Sequence, residues 1–284
     1  RIPSSAASDV YKRQAQADGD LFSWYKANAE GYNVKISDPN VWISQIQGPK
    51  SMKLLSKLIQ EDIAEKWNYF DCKEVTILSE KIIISRTGFT NELGWEIYFR
   101  PENNAEKIGD LILSEGKKMG MILTATPSFR GRRIEAGLLS AGQDFDKNTN
   151  PFSVGLGKFV DLDKKDFIGK KALSNLEKKR RTWGLRVKES VALKGENIFS
   201  NNKVIGRVTS STWSPFQVCG VAIIHLNNDQ FGPSSVIDVK CSDGKIYKGE
   251  ICSLPMYDKK NEIVRGLIEN IPTKPEPWPG IHTK

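Results

Sequence analysis

The sequence predicts an α+β chain of more than one domain, and three observations carry that reading. Up to about residue 174, segments with helical spacing alternate with segments of strand-like alternation. From Lys178 onward only short β-rich runs remain, separated by turn residues. The chain has 284 residues, 39% of them hydrophobic, with seven Trp and twelve Phe, which is enough apolar surface to offset the entropy of ordering and excludes a disordered chain.

The elements follow in order. Asp20 to Ala29 (DLFSWYKANA) reads as a helix with Leu21, Trp24, Tyr25 and Ala29 along one side. Val41 to Gln47 reads as a strand alternating through Val41 and Ile43, ended by Gly48-Pro49, and Pro49 opens a helix over SMKLLSKLI with Met52, Leu55, Leu58 and Ile59 apolar. Glu74–Leu78 and Lys81–Arg86 are two β-rich runs separated only by Ser79-Glu80, hence a hairpin. Gly94–Arg100 is a further strand that Pro101 stops. A helix is expected from about Asn104 to Met119, with Ala105, Ile108, Leu111, Ile112 and Met119 inward, and another from about Ser128 to Leu139.

The second part is expected to consist of strands at Thr182–Val187, Glu196–Ser200, Lys203–Thr209, Val218–His225, Val236–Cys241 and Lys245–Ser253, a β-barrel or jelly-roll-like arrangement. Asn201-Asn202 and Asp243-Gly244 are hairpin turns. The Lys-rich segment Glu177–Arg181 marks the composition shift, so the expected domains are residues 15–177 and 178–268, with a Pro-rich tail at 269–284 that wraps the surface or is loose. The first fourteen residues, RIPSSAASDVYKRQ, have no capping or strand logic and are too polar for a secretory signal. They resemble a translated adaptor leader, so residues 1–14 are expected to be non-native, with the native chain starting mid-domain near Ala15. They hold three basic residues and one acid, so the net charge of +8 falls to +6 without them.

Several function classes are excluded or disfavoured. No apolar run approaches the ~20 residues of a membrane helix. The four cysteines (Cys72, Cys219, Cys241, Cys252) form no CxxC pair and the two histidines are His225 and His282, which removes the usual close ligands of a zinc site and the density of a disulfide scaffold. A reduced, cytoplasmic-type soluble protein with no membrane or nucleic-acid partner is expected. Gly155-Leu156-Gly157-Lys158 lacks the third glycine of a dinucleotide loop and the GK[ST] of a P-loop. The basic run Lys178–Lys188 could contact nucleic acid, but a solvated domain-joining face is the preferred reading. His225, among Val221, Ala222, Ile223, Ile224 and Leu226, reads as a satisfied sheet histidine, and the cysteines as core fillers.

Two segments are more specific. In SRTGFTNELGWEIYFR (Ser85–Arg100), Glu96 and Tyr98 share one strand face, while Trp95, Ile97 and Phe99 share the other. The bland alternative puts Glu96 and Tyr98 in solvent. In Phe129–Asp161, Arg133 and Gly137 lie four apart on one helix stripe, with Gly137 admitting a close neighbour; the alternative is Arg133 in a surface pair.

These residues resemble the signature segments of the folate-binding T-protein family, which contains the glycine-cleavage aminomethyltransferase and the dimethylsulfoniopropionate demethylase. The family's SRTGYTGE-x-G-[FY]-E-[IL]-Y pattern corresponds to SRTGFTNELGWEIY, and its R-[LI]-E-[AG]-G-L-x-x-x-G followed by a TPFEAGLG-like stretch corresponds to RIEAGLLSAGQDFDKNTNPFSVGLGKF. Supporting matches are IQGPKS (Ile46–Ser51), DFIGKKAL (Asp166–Leu173) and VTSSTWSP (Val208–Pro215), so the resemblance covers Ala15 to Gly266.

The resemblance implies a T-protein-like fold of three small domains around a central hole, with a ferredoxin-like and mixed α/β folate-binding part and a C-terminal barrel. It implies tetrahydrofolate as cofactor, with the pterin buried and the glutamate tail outside. Glu96 would hydrogen-bond the amino-pyrimidine edge, Arg133 would sit at the same cavity as a fixed cation, and Tyr98 and Trp213 are further pocket candidates. The positive charge excess fits an anionic folate tail and fits a solvated surface equally. No catalytic residue or metal is assigned: the folate-proximal Asp of the family is expected upstream of ADGDLF, so this fragment is expected not to turn over. Two positions depart from the pattern. Ala141 stands where the family has an aromatic residue, and Asn91 stands at the second glycine of the turn.

The resemblance implies transfer of a one-carbon unit from a small-molecule donor to tetrahydrofolate, in which positioning the donor carbon in a dry pocket is most of the catalysis. GLLS, GQD, GLGKF and SSTWSP look closer to the demethylase branch, and PSFRGRR replaces the GARD that usually precedes the arginine helix of the glycine-cleavage enzyme. The leading expectation is therefore a sulfonium or N-methyl demethylase. The alternatives are the aminomethyltransferase, with a lipoyl carrier protein as partner, and a non-catalytic folate-binding protein.

Overall fold

A computed structural model of the chain describes residues 20–61, 67–124, 126–268 and 270–281. The expected leader 1–14, Ala15 and His282 lie outside these residues. The chain divides into two compact units, Arg1–Phe129 with Lys260–Ile271, and Arg130–Lys259 with Pro272–Lys284. The composition shift at 177–178 falls inside the second unit. There the amides of Arg181 and Thr182 both donate to the Ser153 carbonyl, at 2.7 and 2.9 Å, and tie the preceding segment to the first barrel strand.

The first unit contains α1 (Asp20–Ala27), β1 (Trp42–Gln47), α2 (Ser51–Leu58), β2 (Cys72–Ile77), β3 (Glu80–Ser85), β4 (Gly94–Phe99) and α3 (Ala105–Lys118). Its sheet runs β1-β4-β3-β2 and is antiparallel throughout, so the parallel strand pair of a ferredoxin-like unit is not formed by these strands. One face is apolar. Ile46, Val75, Ile77, Ile82, Ile84, Trp95, Ile97 and Phe99 pack with Leu54, Leu55 and Leu58 of α2 and Ile108 and Ile112 of α3. The start of α3 is set by Asn104, whose Oδ1 accepts from the Lys107 amide at 3.0 Å. Lys117 and Lys118 oppose the negative end of its dipole.

Three details differ from the sequence expectation. In β1 the inward residue is Ile46, and Ile43 is exposed, because the odd-numbered face is the polar one that carries Gln45 and Gln47. Trp24 and Tyr25 of α1 are exposed. The hairpin turns at Leu78-Ser79, one residue earlier than expected: both have positive φ (50° and 68°), and Ile77 pairs with Glu80. This turn type matches the strand twist and keeps Val75 and Ile77 on the core face with Ile82 and Ile84.

The chain enters the second unit within α4 (Thr126–Ala136). A single 3₁₀ turn (Gly157–Phe159) and α5 (Lys170–Ser174) precede β5 (Thr182–Val187), β6 (Asn197–Ser200), β7 (Lys203–Ser214), β8 (Cys219–Leu226), β9 (Val236–Lys240) and β10 (Ile246–Cys252). These six strands close a barrel in the order β10-β5-β8-β7-β6-β9. Its interior is filled by residues including Leu185, Val187, Ile198, Val208, Ile224, Leu226, Val239 and Ile251. Ile134 of α4 lies in a second apolar cluster with Cys219, Val221, Ile223, Cys252 and Met256. The register of β7 shifts at a bulge between Val208 and Ser210, and pairing with β8 continues to Ser214, five residues past the expected end at Thr209. The tail follows this unit: the amides of Glu276 and Trp278 donate to the carbonyls of Phe216 and Gln217 at 2.9 and 2.7 Å.

The helix expected to reach Leu139 stops at Ala136. Gly137 has φ +70°, its amide donates to the Ile134 carbonyl, and the Leu138 amide donates to the Arg133 carbonyl. This is a Schellman ending, so Gly137 closes the helix and does not share a stripe with Arg133.

Candidate functional site

The second face of the first unit's sheet is polar. Cross-strand pairing sets Cys72, Ser85, Glu96 and Gln45 in one row across all four strands. Glu96 is only 1% exposed. Its Oε1 accepts from Gln45 Nε2 at 2.9 Å, and its Oε2 accepts from Tyr98 OH at 3.2 Å and from Thr87 Oγ1. Thr87 Oγ1 also lies 3.0 Å from Ser85 Oγ. Each hydroxyl has one proton, so the consistent chain runs from Ser85 to Thr87 to Glu96. Among the described residues no cation lies at ion-pair distance from this carboxylate. Burial raises the Glu96 pKa, and the bonds from Thr87, Tyr98 and Gln45 oppose that rise. Burial and the neighbouring Glu96 push the Tyr98 phenol up.

Glu96 and Tyr98 are therefore brought together, and neither is in solvent, because β4 is an inner strand flanked by β1 and β3. Gln45, Ser85 and Thr87 were not singled out from the sequence. Their signal was the alternation Gln45, Gln47 in WISQIQ, which marks a polar face on a strand whose other face enters the core. The turn after β3 is built around Gln47, whose Oε1 accepts from Thr90 Oγ1 at 2.7 Å. Asn91 sits there at φ +59°, the left-handed conformation that Asn tolerates in place of glycine. Arg86 of the same motif is buried and donates to the carbonyls of Trp67 and Val264, pinning the returning segment Lys260–Ile271 to the first unit.

The other two sequence candidates lie in the second unit. Arg133 is not in a surface pair. Its Nη1 lies 2.6 Å from Asp144 Oδ2, with side chains 4% and 0% exposed. Nη1 also donates to the Leu138 carbonyl at 2.8 Å and Nη2 to Ser210 Oγ at 2.8 Å. Asp144 is completed by the Ser140 amide, Thr209 Oγ1 and Ser210 Oγ. Asp144 was missed in the sequence, where GQD offered only a short acidic signal. Trp213 stands on β7, 40% exposed.

The remaining groups read as structural. His225 Nδ1 lies 2.9 Å from Thr182 Oγ1, and burial with Arg207 and Arg181 lowers its pKa. Burial pushes the Cys219 thiol up to about 12. In the basic run, Arg181 pairs with Glu177 at 2.5 Å, Lys179 with Asp229 at 2.7 Å, and Arg180 stacks on Trp183. Among the described residues no group of three His, Cys, Asp or Glu could hold a metal ion, and no helix is long and apolar enough to cross a membrane.

Comparison with known proteins agrees with this architecture. Residues 8–164 match the GCVT N-terminal domain, and residues 180–258 match the glycine cleavage T-protein C-terminal barrel domain. An aminomethyltransferase of Thermosipho melanesiensis is 35% identical over 249 residues, covering 83% of this chain and 64% of that protein. One from Thermotoga sp. (strain RQ2) is 32% identical over 250 residues, with 83% and 65% covered. The chain thus spans somewhat less than two thirds of the length of these relatives. The fold matches the crystal structure of glycine cleavage system aminomethyltransferase T from Bartonella henselae with a TM-score of 0.75, at 22% identity, over 85% of this chain and 66% of that one. With both domain models matched in order and the closed barrel in its expected place, the chain belongs to the glycine cleavage T-protein family.

Proposed function

We propose that this protein binds tetrahydrofolate and serves transfer of an aminomethyl one-carbon unit to it from a lipoyl carrier protein. The observation that carries the reading is Glu96: a carboxylate buried on a polar sheet face, held by neutral donors alone among the described residues. An amino-pyrimidine edge offers N–H donors to a carboxylate of this kind, so the residues present fit such a ligand. When bound, tetrahydrofolate supplies the nucleophilic amine that accepts the one-carbon unit. Glu96 holds the ring edge, and Gln45, Thr87 and Tyr98 fix the orientation of its buried carboxylate. Arg133 acts here as a positioning residue that braces the 138–144 segment through Asp144. Trp213 supplies an aromatic surface on the barrel. Residues 15–177 are assigned to folate binding and 178–268 to the barrel. The aminomethyl donor is favoured over the sulfonium because the relatives above carry the name aminomethyltransferase.

The test is calorimetric titration with tetrahydrofolate, in which Glu96→Gln weakens binding about tenfold or more. Folate affinity unchanged in that variant removes the reading. Turnover assays on a chain that spans the whole length of the relatives above then separate donors. Ammonia release from an aminomethyl-lipoyl carrier supports the proposal. Thioether release from dimethylsulfoniopropionate without a carrier favours the demethylase reading, which rests on GLLS, GQD, GLGKF and SSTWSP. Binding with neither donor consumed favours a non-catalytic folate binder.

A further inference from the structure

Two carboxamides on the polar face each keep one polar atom that this chemistry does not use. Gln45 and Gln47 lie two residues apart on one side of β1, about 7 Å along the strand. One neighbour orients each amide. Gln45 Nε2 donates to Glu96 Oε1, which leaves its Oε1 as an acceptor. Gln47 Oε1 accepts from Thr90 Oγ1, which leaves its Nε2 as a donor. Both remaining atoms are shielded from solvent and have no hydrogen-bond partner among the described residues. An amide group left this way destabilises the fold unless something else pairs with it.

The two glycines beside Gln47 fix where its amide sits. A Cβ at Gly94 would lie 2.3 Å from Gln47 Oε1, and one at Gly88 2.5 Å from Nε2. Neither glycine has the positive φ that would itself require glycine. Their lack of a side chain makes room for the amide.

We propose that Gln45 and Gln47 are specificity-determining residues that read the donor–acceptor edge of a planar heterocycle. Gln47 Nε2 donates to a ring carbonyl, and Gln45 Oε1 accepts an N–H beside the edge held by Glu96. The inference rests on the folate reading of this face and deepens it: the site selects a 4-oxo over a 4-amino ring.

Titration of the chain with tetrahydrofolate and with its 2,4-diamino analogue tests this. The unaltered protein is expected to favour the 4-oxo ligand at least about tenfold, because a site built for one hydrogen-bonding pattern rejects the other. Gln47→Glu puts an acceptor at the carbonyl position and is expected to shrink or invert that ratio about tenfold. A purely structural role would weaken both ligands equally, so an unchanged ratio in a variant that still binds folate overturns the inference and leaves the folate reading standing. If Gln47→Glu fails to fold, Thr90→Val releases the amide to turn, and the same ratio must fall; its persistence is equally fatal. If the unaltered protein binds neither ligand, the folate reading fails first and the inference with it.

Discussion

Arg133 and Asp144 form an ion pair of 2.6 Å in which neither side chain is more than 4% exposed. Arg133 comes from the last turn of α4 and Asp144 from the loop beyond it, and the pair is completed by Thr209 and Ser210 at the β7 bulge. One contact thereby fixes a helix end, a loop and a barrel strand of the second unit.

Removing either partner leaves the other as a buried, uncompensated charge. Arg133→Met and Asp144→Asn are each expected to destabilise the protein by about 3–5 kcal/mol. The double variant should cost clearly less than the sum of the two, because the second change removes the orphaned charge. Urea unfolding of the three variants measures this, and simple additivity would show that the pair is not the stabilising unit.

Glu96 makes the pH dependence of stability specific. Burial raises its folded-state pKa above the unfolded value. In the window between those two values the native state holds the extra proton, so stability falls as pH rises through it. Glu96→Gln removes the titration. The stability of the unaltered protein minus that of the variant is therefore expected to decline as pH rises above about 4.3, then to level off. Unfolding free energies across that range decide it, and a flat difference refutes the assignment.

Gly137 combines a left-handed backbone with close packing. A Cβ there would lie 2.6 Å from Leu254 Cβ, whereas one at Gly142, also at positive φ, would meet nothing within 4 Å. Gly142→Ala is expected to cost about 1–2 kcal/mol from the backbone alone. Gly137→Ala should exceed it by about 1–3 kcal/mol for the overlap. Thermal unfolding of the two variants compares them, and equal losses would mean that Leu254 moves aside freely.

The sequence by itself determined the element types and the order in which they come. Short β-rich runs from Thr182 to Val187 and from Val218 to His225, with the turns Asn201-Asn202 and Asp243-Gly244 in the same part of the chain, are local signals that no distant contact needs to supply. The resemblance to the family's signature segments marked Glu96 and Arg133. Tertiary structure alone decided what those side chains meet. Glu96 is buried because β4 is enclosed by β1 and β3, two strands that both precede it in the chain, and one of its three donors, Gln45, is 51 residues away. Arg133 finds Ser210 across 77 residues, at a bulge that strand alternation does not foretell. Closure of six strands into a barrel was one of two arrangements that the same alternation allowed. Propensity and periodicity act within a few residues, whereas burial, hydrogen-bond partners and pKa depend on which distant segments fold against them. The fold class was therefore legible in the sequence, and the chemistry of the polar face was not.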